Sequence, residues 1–192
     1  MSGPKTFIES LKRLMGENNP NYRFYYDFIL KNAEEKQKES FTEQEEQELL
    51  DIIGSDKYPE KECYTNSRKL LLHQKGEQLD YFEGWVDAGM IPVEHAWCEY
   101  NGKIVDVTLV DREPEDLKNI PVKHREQVSE HTKHSYPDAV YYGVKIPQRF
   151  VMHEMVEQRP YVLNDFVLTC IKPLKEGRKT PDFCGDLKEY KV

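Results

Sequence analysis

Three residue types that together can do nucleophilic chemistry occur within 44 positions: a thiol at Cys63, an imidazole at His95 and a carboxylate at Asp106. The most informative stretch is His95-Ala-Trp-Cys-Glu-Tyr-Asn-Gly-Lys-Ile-Val-Asp-Val-Thr108. Asn101-Gly102 between two alternating runs is a strong hairpin signal, because a two-residue type I′ turn needs positive φ at both positions. That turn pairs Tyr100 with Lys103, sets Trp97 opposite Asp106 and sets His95 opposite Thr108. Side chains alternate along strands, so His95, Trp97, Asp106 and Thr108 share one face, and His95 and Asp106 become diagonal neighbours. A His–Asp pair across a hairpin is also compatible with a plain structural hydrogen bond. The third member gives it a chemical logic, since a base must take the thiol proton and an acid must hold that base in one tautomer.

Cys63 falls in or just before the first turn of an expected helix, where free N–H groups and the positive dipole end favour a thiolate. A cysteine there is otherwise a small buried hydrophobe. Cys98 points to the sheet face opposite His95, and Cys170 ends an apolar run, so both read as core. Cys184 lies in a Gly-containing tail with no nearby base. The four cysteines lack CxxC spacing, which suggests neither a disulfide scaffold nor a zinc ribbon.

The elements that must position these groups follow from periodicity. Phe7, Ile8, Leu11, Leu14 and Met15 recur at helical spacing, and a second helix is expected from about Tyr22 to Glu39. Thr42 with Glu45 is a capping box for a third, with Leu49, Leu50, Ile52 and Ile53 as its inner stripe and Gly54 as its stop. A fourth runs from near Pro59–Cys63 to Gly76. Strands are expected over Gln78–Val86, Val93–Tyr100, Lys103–Val110, Ala139–Ile146 and Tyr161–Ile171, with a helix at Gln148–Glu157. The charged segment Glu113–Asp138, which holds His124, His131 and His134, reads as a loop. Helices first and strands afterwards imply an α+β fold with an antiparallel sheet. One domain spans 1–192, helical to about 76 and sheet-forming from about 77.

Composition narrows the function classes. With 38% hydrophobic and 32% charged residues, the 192-residue chain is globular and long enough for a core. A net charge of -8 argues against nucleic-acid or anionic-membrane partners. The basic stretches Lys118–Arg125 and Lys172–Lys179 read as solvated surface. No signal peptide or membrane span is apparent, so the cytoplasm is the expected location.

Cys at a helix start, then His95-Ala-Trp97 opening a strand, then Val105-Asp-Val-Thr108, resembles the transglutaminase-like branch of the papain-fold cysteine enzymes. There the pattern is Cys, His-Ala-Trp and Asp-Pro-Thr. Tyr81-Phe-Glu-Gly84 looks like the strand preceding the histidine in small relatives, and Tyr141-Tyr-Gly143 is a weaker echo. The resemblance covers Cys63 to about Leu109. It implies a papain/transglutaminase-like fold with the nucleophile helix packed on the sheet, Cys63 as nucleophile, His95 as general base and acid, and Asp106 orienting His95. Two departures stand out. Val107 replaces the proline, and Lys57 stands where papain-type proteases place an oxyanion glutamine. The oxyanion donors are then the backbone N–H of Cys63 and a side chain such as Tyr58 or Asn66. Trp97 on the catalytic face either shields a thioester from water or is packing. The Arg-Gly-Gly motif of arylamine acetyltransferases is absent before Cys63.

The expected activity is therefore cysteine-dependent acyl transfer of amidase, peptidase, deamidase or transglutaminase type, on a protein, peptide or small amide or amine substrate, without cofactor or metal. The acidic balance slightly favours a cationic acceptor. A second reading is a non-catalytic binding protein on the same fold. A third, a zinc site built from Cys63 and His95 with His124, His131 or His134, has only His131-x-x-His134 as a close ligand pair.

Overall fold

The computed structural model describes residues 3–54, 58–59, 61–89, 91–109, 139–159 and 162–192. The segment Glu113–Asp138 with its three histidines lies outside them, as does Lys57. The chain begins with two antiparallel-packed helices, α1 (Pro4–Gly16) and α2 (Pro20–Asn32). Both start on proline, whose missing N–H costs nothing in a first helical turn. Asn19 caps α2 by accepting from the N–H groups of Asn21 and Tyr22.

Instead of continuing to Glu39, α2 stops at Asn32, and Glu34–Gln37 forms strand β1. Its four residues are all polar, so no apolar alternation betrays it; it exists because β5 offers an open edge. Helix α3 (Glu43–Ile53) carries the expected capping box, with Thr42 and Glu45 reciprocally bonded. Leu49 and Ile52 are buried, whereas Leu50 is 60% exposed and lies outside the inner stripe. Helix α4 is shorter than expected and runs Cys63–Leu71.

Strands β2 (Asp80–Asp87), β3 (Val93–Tyr100), β4 (Lys103–Val105) and β5 (Val140–Ile146) complete a curled antiparallel sheet of order β1-β5-β2-β3-β4. The architecture is α+β. Helix α5 spans Gln148–Val156. The strand expected over Tyr161–Ile171 is instead helical: α6 (Leu163–Phe166) runs through a π-helical stretch, Val167–Ile171, into α7 (Lys172–Lys175). Its buried residues, Val162, Leu163, Phe166, Val167, Cys170 and Ile171, recur every three to four positions. That is a helical stripe, which the local richness in Val, Ile and Leu disguises as a strand.

The larger core lies between one sheet face (Trp85, Ala96, Cys98, Val144) and helical residues such as Ile8, Phe28, Ile29, Leu70 and Phe166. A smaller cluster of Phe82, Val86, Trp97, Ile104, Ala139 and Tyr141 occupies the opposite face. Cys170 is core as expected, but it is joined as a disulfide to Cys184, which is fully buried rather than part of a tail. They are 14 positions apart in the sequence, and only the docking of the C-terminal segment brings them together.

Glu83 ties strand to helix. It accepts from Tyr81 Oη at 2.7 Å and from the N–H groups of Val162 and Leu163, at the start of α6, with Arg68 at 3.8 Å. Burial pushes its carboxyl up to about 7 despite those donors.

Candidate active site

The Asn101-Gly102 turn forms as expected, with φ of 52° and 78° and Tyr100 paired with Lys103. Glycine meets the second positive φ without a Cβ penalty. The ladder then runs Glu99↔Ile104 and Cys98↔Val105 and stops, short of the expected Val110. Asp106 stops it. Its Oδ1 accepts from the N–H of Thr108 at 2.9 Å and of Leu109 at 3.0 Å, so the side chain takes donors that a continuing strand would give its neighbour. The expected pairs Trp97–Asp106 and His95–Thr108 are therefore not formed as ladder pairs.

The turn nevertheless delivers Asp106 to His95. Nε2 of His95 lies 2.7 Å from Asp106 Oδ2, and Tyr141 Oη donates to the same oxygen at 2.9 Å. With four partners on its two oxygens, the carboxylate is held below its usual pKa even though burial opposes this. Tyr141 was legible only as part of the Tyr141-Tyr-Gly143 echo; no spacing rule connects it to Asp106, which lies 35 positions away.

Cys63 opens α4, and its sulfur is near enough to the same imidazole to help raise its pKa. Burial pulls the imidazole pKa down, but the hydrogen bond and charge of Asp106, with a contribution from nearby Cys63, override it and push His95 up to about 9. At neutral pH His95 is thus an imidazolium between a carboxylate and a sulfur. The three side chains lie close together and nearly closed off, with Cys63 8%, His95 4% and Asp106 8% exposed.

Helix α4 is fixed by Ser67, which donates to the Ala96 carbonyl at 2.9 Å, and by Asn66, which donates to Thr108 Oγ1 at 2.9 Å. No side chain caps its first turn, so N–H groups at the Cys63 end remain available to an anion.

The other expected site residues have structural roles. Asn66 spends its amide hydrogens on Thr108 and on the Pro59 carbonyl at 2.7 Å, which leaves none for an oxyanion. Tyr58 donates to the Ile53 carbonyl at 2.8 Å, and its ring receives the Lys69 ammonium. Trp97, 1% exposed, lies between rings: 6.5 Å from His95 at 16°, stacked on Phe82 at 5.7 Å, and edge-on to Tyr141 at 5.1 Å. It is the wall behind the imidazole. Gly143 admits it, for a Cβ there would sit 2.2 Å from Trp97 Cη2.

Cys98, fully buried on the other face, donates to the Ser67 carbonyl at 3.4 Å, and burial pushes its thiol up. Of the histidines in the zinc reading, His124, His131 and His134 lie outside the described residues. Among the described residues, no three His, Cys, Asp or Glu side chains are grouped to hold a metal ion, and no helix is long and apolar enough to cross a membrane. No protein-family model, curated protein or solved structure matches this chain.

Proposed function

We propose that the chain is a cysteine-dependent acyl-transfer enzyme of amidase, peptidase, deamidase or transglutaminase type, on a papain/transglutaminase-like fold. One observation carries the reading: a buried imidazole held by Asp106 at 2.7 Å stands near the thiol that opens α4, which helps raise its pKa. Cys63 attacks the carbonyl carbon of an amide as the thiolate, and a C–S bond forms. His95 gives its proton to the departing nitrogen as the C–N bond breaks. The neutral imidazole then takes a proton from water or an amine, which attacks the thioester and expels the thiolate. Asp106 orients the imidazole and balances its charge. The backbone N–H of Cys63 is the oxyanion donor that the site offers, since Asn66 and Tyr58 are committed elsewhere.

The chemistry needs neither metal nor cofactor. The proposed substrate is a protein, a peptide or a small amide, with water or an amine as acceptor; nucleic acid and membrane are not proposed as partners. The cytoplasm remains the proposed location. The Cys170–Cys184 bond weighs against it, because disulfides persist mainly in oxidising compartments.

A non-catalytic binding protein on the same fold is the second reading, favoured by the near-complete burial of all three groups. Iodoacetamide labelling separates the two. At neutral pH Cys63 should react faster than N-acetylcysteine, and His95→Ala should abolish the advantage. Labelling no faster than the small thiol, or equally fast in His95→Ala, defeats the enzyme reading.

A further inference from the structure

On the sheet face opposite His95 lies a cleft of about 560 Å³, a size that suits a small organic group. Its walls are unusually aromatic: Tyr22, Tyr25 and Tyr26 from α2, Tyr64 from α4 and Trp85 from β2. Tyr22 and Tyr26 are stacked at 6.4 Å, and Tyr25 meets Tyr26 edge-on at 5.2 Å. Tyr22 is 42% exposed at the mouth.

Three carboxyl groups reach the cleft, and they are not equivalent. Glu83 is consumed by the strand-to-helix tie described above. Asp165 lies 3.6 Å from Arg159, whose guanidinium also meets Glu154 at 3.4 Å, so the one cation among the described residues of the wall is already balanced. Glu94 makes no hydrogen bond or ion pair among the described residues. It opens to solvent, yet its surroundings partly desolvate it and raise its pKa. Its field reaches the rings. Burial and then the charges of Glu94 and Glu83 hold the Tyr25 hydroxyl well above its ordinary range.

We infer that this cleft binds a methylated ammonium group, seated against its less buried tyrosines with Glu94 as its counter-ion. The electron-rich faces of Trp and Tyr attract cations, most strongly where water is excluded. The supply of acceptors selects the type of cation. A primary ammonium carries three N–H donors that need partners, and among the described residues of the wall Glu94 is the carboxylate with neither a hydrogen bond nor an ion pair. A quaternary ammonium has no donors to satisfy and loses little hydration on entering an aromatic wall. The site does not depend on Cys63 being a nucleophile.

Titration calorimetry with tetramethylammonium tests this, with Trp85 emission as an independent readout in a Trp97→Phe background. Saturable one-site binding is expected, about tenfold weaker for methylammonium and absent for the neutral isostere tert-butanol. Glu94→Gln, at an exposed position, should weaken binding about tenfold, and Tyr22→Ala should weaken it also. No saturation by tetramethylammonium, equal binding of tert-butanol or methylammonium, or unchanged affinity in Glu94→Gln would each overturn the inference. Because Cys63 labelling is read separately, either result leaves the acyl-transfer reading standing or falling on its own test.

Discussion

Replacing Asp106 by Asn removes one charge while keeping the side chain's shape. In the parent protein, the rise of His95 from an ordinary 6.5 to about 9 corresponds to roughly 3 kcal/mol of preference for the imidazolium. Burial pushes the other way, and the hydrogen bond to Asp106 is the largest of the contributions that overcome it. In Asp106→Asn the imidazole should therefore titrate below 7 and be neutral at physiological pH. The linkage has a definite sign. A histidine whose folded pKa is raised contributes stability that is fully present below about 6.5 and is lost as pH rises through about 9. Between those values the parent should lose up to roughly 3 kcal/mol more unfolding free energy than the variant. NMR titration of the His95 ring protons and urea unfolding at pH 6, 7.5 and 9 measure both effects. Glu83, with its carboxyl raised to about 7, titrates inside the same window and with the same sign in both proteins, so the difference between parent and variant isolates the His95 share. A variant whose His95 still titrates near 9 would refute the assignment of Asp106 as the source of the charge.

Tyr141→Phe deletes one donor to Asp106 and leaves the other three, so His95 should stay cationic by NMR. Stability should fall by about 1–3 kcal/mol, the usual cost of a lost hydrogen bond to a charged group, measured by urea unfolding. Gly143→Ala places a methyl 2.2 Å from Trp97 and 2.9 Å from the Glu83 carbonyl. Repacking there should cost about 1–3 kcal/mol, visible as a lowered melting temperature and altered Trp97 emission; an unchanged melt would mean that Trp97 is not seated on Gly143.

The elements that the sequence determined by itself are those whose causes are local. The Asn101-Gly102 turn, the Thr42–Glu45 capping box and the alternation of β3 each depend on residues a few positions apart, so pattern and structure agree. The His95–Asp106 contact belongs with them, although by a different route from the ladder first expected. An Asp followed by two free N–H groups can close its own turn, and that turn brings the carboxylate to the imidazole.

Tertiary structure decided what depends on partners far along the chain. Glu34–Gln37 has no strand pattern and pairs only because β5 has a free edge. Val162–Ile171 is rich in strand formers, yet its buried stripe fits a helix, and Glu83 anchors the N–H groups at its start. Asn66 and Tyr58 have the right chemistry for oxyanion donors, but backbone carbonyls and Thr108 claim their hydrogens. Tyr141 reaches Asp106, and Cys170 finds Cys184, only through packing. The triad's residue types could be read from the chain because chemistry restricts them to very few side chains. Its closed surroundings could not, because burial is a property of everything packed around a residue.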